Sequence, residues 1–393
     1  MPDLIEQFID EFDHHDPALG PVTHEVYRAM RERSAVAWSD LYGGFWVVNG
    51  YDEAHTALQH YDLFSTSPSV SVPAFHLERP MLPIEVDPPV HNKYRGLITP
   101  VFSPPRMVAL EGTIRTTATG LIDGFAARGE CEFFSAFAEP LPVAIFTAMM
   151  GLDRAEVPQF LHWKNDILHG MGQDPEVPQR ATRELEAYLF GLIEERHRQP
   201  QDDLVSVLIQ AEVDGEKLTD EEVYDSAFLL FIAGLDTVSA SISLQFLHLA
   251  QHPELRDRLV ADPSLIPDAV EEMLRFESLI IAGRTVTADT DLLGVRMKKG
   301  DRIVMNTVAA DRDPRQFRDP DTVDFERSPN RHMAFGVGPH RCVGSHLARI
   351  ELRIAYEEMH HRLPTYRLAP DAVVHRHADN VHGVDRVPLV WDV

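Results

Sequence analysis

The chain reads as a mainly α fold, a large helical body with a small β-rich region. Three observations predict it. The first is an apolar helical pattern from about Glu221 to Gln251, opened by Thr219 with Glu222 three positions on and closed by Pro253. At 1.5 Å rise, its roughly 31 residues would span about 46 Å. The second is a series of shorter helical patterns over Thr23–Arg33, about 91–102, 104–127, 140–150, 154–170 and 179–198, then Asp268–Glu277 and Ser345–Arg362. The third is the confinement of strand patterns to a few places. Gly44–Val48 ends at an Asn49-Gly50 turn, and Arg284–Leu293 and Val295–Met305 are joined by turns at Gly294 and Lys298-Lys299-Gly300-Asp301. Residues 62–90, rich in Pro and Ser, read as a long loop, and loops of that length are usually functional.

Composition narrows the function. A net charge of −26 argues against nucleic-acid binding, which needs clustered Lys and Arg. Two cysteines, Cys131 and Cys342, give no disulfide framework and no paired Cys-x-x-Cys zinc site. His248 and His252 stand four apart, but without the Glu and third ligand of a zinc helix; His14-His15, His360-His361, His375 and His377 read as solvated positions. The acidic start Met1–Glu6 lacks a basic and apolar leader, and no apolar run approaches the roughly 18 residues of a membrane span, Ala227–Gly234 being the longest. A cytoplasmic protein with no membrane attachment is expected.

The most informative stretch is Phe335-Gly336-Val337-Gly338-Pro339-His340-Arg341-Cys342-Val343-Gly344. Its glycines allow tight bends and close approach to a flat partner. The thiol of Cys342 falls just before a helix N-terminus, where partly positive N–H groups favour a thiolate. A thiolate on such a loop is what haem iron needs as an electron-donating axial ligand. The apolar helix carries Ala233-Gly234-Leu235-Asp236-Thr237 at its middle. A buried Asp and Thr are costly there, and Gly costs about 1 kcal/mol more than Ala in a helix interior. Such choices suggest that function outweighs stability. Thr237 can bond the Ala233 carbonyl, and Gly234 leaves room beside the backbone for a ligand.

The cysteine stretch resembles the haem-binding signature of the cytochrome P450 family in its bacterial form, with His340 where many members carry Arg. The resemblance covers essentially the whole chain. Ala233–Thr237, Arg275-Phe276, Ala282-Gly283-Arg284 and Pro388–Asp392 look closest to the camphor-hydroxylating branch. It implies one domain over residues 1–393 and haem b (iron protoporphyrin IX) as cofactor, with Cys342 as the metal ligand. Phe335, Gly336, Gly344 and Ala233 would lie against the haem. His91, Arg95, Arg284 and His340 would meet the propionates. Relatives place Asp two residues before the Arg, and here Ala282 stands there, so Arg284 is expected to lack a carboxylate neighbour. Asp236 and Thr237 would deliver protons. Glu272 and Arg275 match a structural Glu-x-x-Arg pair, with Arg327 as third member, although Leu279 stands where many relatives have Pro.

Pocket positions fall by the same resemblance on Leu229, Ile232, Ala233, Leu279, Ile280, Ile281, the 70–84 loop and Val381. They are nearly all aliphatic, which fits a small apolar substrate of terpenoid or norisoprenoid type. The camphor-anchoring tyrosine has no counterpart between Tyr61 and Tyr94, and Arg79 falls about where it would be. No flavin, nicotinamide or iron–sulfur motif appears. The implied partners are therefore dioxygen (O2) and a ferredoxin of the 2Fe-2S type with its reductase. Lys93, Arg95, Arg341, Arg349 and Arg353 would form the docking patch, and a monomer is expected. A peroxide-driven enzyme would lack the Asp236-Thr237 pair, and a haem-based sensor would carry an output segment that this chain does not show.

Overall fold

The computed structural model describes residues 2–74, 77–169, 176–213 and 215–393. Phe75 and His76 of the expected pocket loop, and Gly170 at the end of the 154–170 pattern, lie outside them.

The apolar pattern forms a helix over Asp220–Gln251, called the central helix below. Its capping box is in place: Thr219 accepts from the Glu222 amide at 3.2 Å, and Glu222 accepts from the Thr219 amide at 2.9 Å. The helix is buried from Val223 to Ala250 except at residues 232–234 and 237–238. By length and composition it would also suffice to cross a membrane, contrary to the expectation that no segment would. Here it is the axis of the largest apolar core, and 72% of its most apolar window is buried inside the protein.

Most other helices fall where their periodicity puts them, Thr23–Arg33 and Ser345–Arg362 without shift. The 104–127 pattern divides into Pro104–Ala109 and Glu111–Asp123, broken at Leu110. The strands make a five-stranded sheet ordered Val36–Ser39, Phe45–Val48, Arg302–Asn306, Ile281–Val286, Phe64–Ser65. Only the second and third run parallel. Alternation gives the sheet two faces. Phe45, Val47, Ile281 and Val304 join a core with the N-terminal helices, while Val48, Val286, Ile303 and Met305 join another with Tyr51–Gln59 and Met333.

Glu272 and Arg275 lie on the helix Ile266–Phe276. Arg275 is wholly buried. It donates to Glu272 at 2.9 and 2.7 Å and to the carbonyls of Asp311, Pro320 and Thr322. Arg327 donates to the same carboxylate at 3.0 and 3.1 Å, and Asn330 adds a fourth side chain at 3.2 Å. Removing one member strands the other charges away from water. Arg275→Met should lower unfolding free energy by about 3–5 kcal/mol, and Arg275→Lys should restore only part, lacking the fork geometry. Urea unfolding followed by far-UV circular dichroism checks this; a Met variant as stable as the parent would remove the network from any account of stability.

Candidate active site

The cysteine loop is tied by its own backbone. Gly336 N–H donates to Met333 O at 2.7 Å, Arg341 N–H to Gly338 O at 3.1 Å and Cys342 N–H to Phe335 O at 2.8 Å. Gly338 has φ +76°, and a Cβ there would stand 2.6 Å from the Leu58 carbonyl oxygen, so only glycine fits. Arg349 lies over the Phe335 ring at 4.5 Å and pairs with Glu271 at 2.6 Å; Glu271 also meets His332 at 3.1 Å. Cys342 retains accessible surface although protein crowds it on most sides. The expected thiolate bias is not the net result. Burial pushes this thiol up, and the Gly344 N–H with Arg95, Arg341 and Arg349 only partly offsets it. A coordinated metal, which deprotonates a ligating thiol outright, is what would settle the charge.

Above the middle of the central helix the burial opens. Ala233 is exposed and Thr237, one turn on, is half-buried, in a helix otherwise sealed over more than six turns. Thr237 Oγ1 donates to Ala233 O at 3.2 Å, as its spacing suggests. Gly234 has a different reason from the one expected. A Cβ at this position would lie 2.5 Å from the Phe146 ring, so the glycine admits a neighbouring side chain rather than a ligand. Asp236 is buried and accepts from Lys164 Nζ at 3.0 Å; Lys164, 2% exposed, also faces Glu139 at 3.7 Å. Burial pushes the Glu139 carboxyl up, and Lys164 works against it.

A third group lies near the loop. The rings of His91 and His340 are 4.4 Å apart, and His340 Nε2 is 3.5 Å from Asp87. Arg95 donates to the Arg341 carbonyl. Arg284 is 5% exposed, and its one hydrogen bond among the described residues goes to Gly283 O at 2.6 Å. Burial lowers its pKa to about 10, and the Asp87 charge acts in the opposite direction. Among the described residues Arg284 makes no ion pair; the charge of Asp87, from another segment, reaches it only at longer range. Asp87, itself bonded to Ser65 and Thr66, is held down to about 2 by these partners and His340 against the effect of burial.

A family model described as Cytochrome P450 matches residues 142–373. The chain is 35% identical over 376 residues to the steroid C26-monooxygenase of Mycolicibacterium smegmatis, covering 93% of this chain and 92% of that one. It is 35% identical over 378 residues to the pentalenic acid synthase of Streptomyces avermitilis, covering 93% and 94%. The crystal structure of CYP101J2 superimposes with a TM-score of 0.85 at 32% identity, covering 94% of this chain and 93% of that one. The chain is a cytochrome P450. It is accordingly a haem b monooxygenase drawing on dioxygen and on electrons from a redox partner.

The residues of this P450 fit that cofactor. His91 Nε2 is buried without a hydrogen-bond partner among the described residues, and Arg284 is a buried cation whose one hydrogen bond among them goes to a carbonyl rather than a carboxylate. Both features suit a carboxylate such as a propionate. Leu229, Ile232, Leu279, Ile280 and Val381 share one apolar core, whereas Ile281, expected with them, packs instead in the core formed with the N-terminal helices. Ile280 bridges Val381 across a short β contact. Arg79 is committed elsewhere: it pairs with Asp225 at 3.0 Å and lies 4.8 Å over the Tyr224 ring, which stacks on Phe190. The expected docking patch is mostly neutralised from within. Lys93 pairs with Glu222, Arg349 with Glu271, and Arg353 with Glu111 and Glu357, leaving Arg95 and Arg341 without carboxylate partners among the described residues.

Sequence reasoning missed Lys164, Glu139 and Asp87. Lys164 falls within the 154–170 helical pattern and Asp87 within the 62–90 loop; neither has a local signal. Glu351 was missed too. It is fully buried on the helix that follows Cys342, its Oε1 has no partner, and burial pushes it up to about 8. The carboxyl is therefore neutral near pH 7. Because its folded value is raised, the stability it contributes is complete below its ordinary 4.5 and is lost as pH rises through about 8. Relative to Glu351→Gln, the parent should lose on the order of 4 kcal/mol between about pH 5 and about pH 8. Urea unfolding across that range tests this; parallel pH profiles would mean that the carboxyl is not held neutral.

Proposed function

We propose that this P450 hydroxylates a small apolar substrate of terpenoid or norisoprenoid type, with electrons from a 2Fe-2S ferredoxin and its reductase. The observation that carries this reading is the opening at residues 232–234 and 237–238 in an otherwise sealed helix, lined by aliphatic side chains and one hydroxyl. Leu229, Ile232, Ile280 and Val381 form walls that select by shape. Arg79 is too engaged with Asp225 and Tyr224 to replace the missing tyrosine, which argues against camphor and for a bulkier ketone or hydrocarbon. A single domain over residues 1–393, acting as a cytoplasmic monomer, completes the reading. Arg341, in the cysteine loop, is the cation left for an acidic ferredoxin, Arg95 being taken by a propionate.

Cys342 would ligate the iron, with Phe335, Gly336, Gly344 and Ala233 against the porphyrin and His91, Arg95, Arg284 and His340 on its propionates. When bound, the haem supplies the iron centre at which dioxygen is activated. This chain supplies positioning and protons. The Thr237 hydroxyl, resting on Ala233 O, is the donor nearest the opening. Asp236 stands next to it but spends its bonding on Lys164. Passing a proton from Asp236 to Thr237 therefore requires the Lys164 contact to loosen or a water to bridge. Lys164, Asp236 and Glu139 form the polar route behind the hydroxyl.

Thr237→Ala should keep reductant consumption but cut product per electron pair by at least ~10-fold, with peroxide released instead. Turnover with a plant-type 2Fe-2S ferredoxin and its reductase, peroxide quantified in parallel, measures this. Unchanged coupling would take Thr237 out of proton delivery. A haem-absorbance screen tests the substrate class separately: terpenoid ketones that fail to shift the Soret band, while steroids or fatty acids do, would replace it.

A further inference from the structure

Histidines that read as solvated are not all so. His14 is wholly buried, its ring 4.0 Å from that of His15. His15 Nδ1 is 2.9 Å from Asp379 Oδ1, and its Nε2 is 2.9 Å from the Val72 carbonyl oxygen. Both neighbours are acceptors with no hydrogen to give. A neutral imidazole has one N–H and one lone pair, so it can satisfy only one of them. Both contacts together require the imidazolium.

The two oxygens belong to two different walls. Val72 lies in the 70–84 loop, and Asp379 lies at the tip of the hairpin Arg376–His377/Gly383–Val384 that carries Val381. The walls are already stitched together. Ser71 bonds Asn380 at 3.0 Å, Ile281 N–H donates to Asn380 O at 2.9 Å, His382 N–H to Leu279 O at 2.8 Å, and Gly283 N–H to Val70 O at 2.6 Å. We propose that His15, doubly protonated, clamps the 70–74 segment to the hairpin tip, and that losing one proton loosens both walls of the substrate pocket. That these walls line the pocket rests on the proposed function; the clamp itself does not.

The surroundings favour the charged form. Burial pulls the His15 pKa down, but the Asp379 hydrogen bond and charge, Val72 O and Asp13 raise it further, so it ends above its ordinary 6.5. The clamp is complete below that value and is lost as pH rises through the folded one. Asp13 also accepts from the His15 amide and from Tyr42, and Asp16 acts on Tyr42. Burial drives His14 and His382 down to about 3, so neither titrates near neutrality. His377, raised mainly by Asp385 against burial, lies on the same hairpin and is the group that must be separated from His15.

Hydrogen exchange on the haem-loaded full chain, read by mass spectrometry from about pH 6 to about pH 9 and corrected for intrinsic rates, makes the separation. Protection of 70–74 and 379–384 should fall about two- to fivefold with rising pH, the scale of a partly exposed ion pair. His15→Gln should be low and flat, His377→Gln should keep the step, and Asp379→Asn should abolish it with His15 intact. Nitrogen shifts of the His15 ring should be those of an imidazolium at pH 6. A step surviving His15→Gln, a step lost only in His377→Gln, no step in the parent, or a neutral-tautomer spectrum would overturn the clamp. A misassigned pocket would leave these results unchanged and would show instead in the absorbance screen.

Discussion

The wholly buried Arg275 guanidinium holds the segment that delivers the cysteine. Its donors end on Glu272 and on three carbonyls between Asp311 and Thr322. Asp311 then uses its own carboxylate to accept from the Met333 amide at 2.7 Å, and the Met333 carbonyl accepts from Gly336. A cation fixed on one helix is thus linked through consecutive bonds to the first glycine of the loop. Buried charges contribute little net stability, but they make the alternatives expensive. A loop that must present one sulfur to a planar cofactor benefits from such a constraint more than from added apolar burial.

The central helix works on the opposite principle. Its sides are apolar and sealed, and its few polar groups are served unequally. Thr237 and Ser243 bond back to their own helix, Gln245 is shared with Ser241 and Tyr356, and Asp236 reaches out to Lys164 on a neighbouring helix. Back-bonded hydroxyls add little strain and can be released at small cost. The Asp236–Lys164 contact is different, since separating a buried ion pair costs several kcal/mol unless water or another partner replaces it. The polar step beside the opening is therefore both the dearest feature of the helix and the one with the clearest chemical use.

What was legible in the sequence had local causes. The capping box, the cysteine stretch, Thr237 on Ala233 and the i,i+3 pairing of Glu272 with Arg275 are all set by neighbours within four positions. Arg327 was reachable only through the family likeness. Lys164 on Asp236, the charge of Asp87 on Arg284, and Phe146 against Gly234 join residues far apart in the chain, and no periodicity announces them. Gly234 is instructive: its helix position marks it in the sequence but hides its cause, because a missing Cβ looks the same whether a ligand or a phenyl ring needs the space. The histidines failed for a related cause. Doublets such as His14-His15 look polar in sequence, yet a neutral imidazole is readily buried, and only the fold shows which of the two is.

Charge pairing bears on the face around Cys342. A chain of net charge −26 has 62 Asp and Glu to 36 Lys and Arg, and most cations near the loop are claimed by carboxylates. Mutual screening inside the protein shortens the reach of that face's field, so long-range steering of an acidic partner would be weak. Recognition of a redox partner would then depend on close contact around Arg341, which belongs to the loop itself.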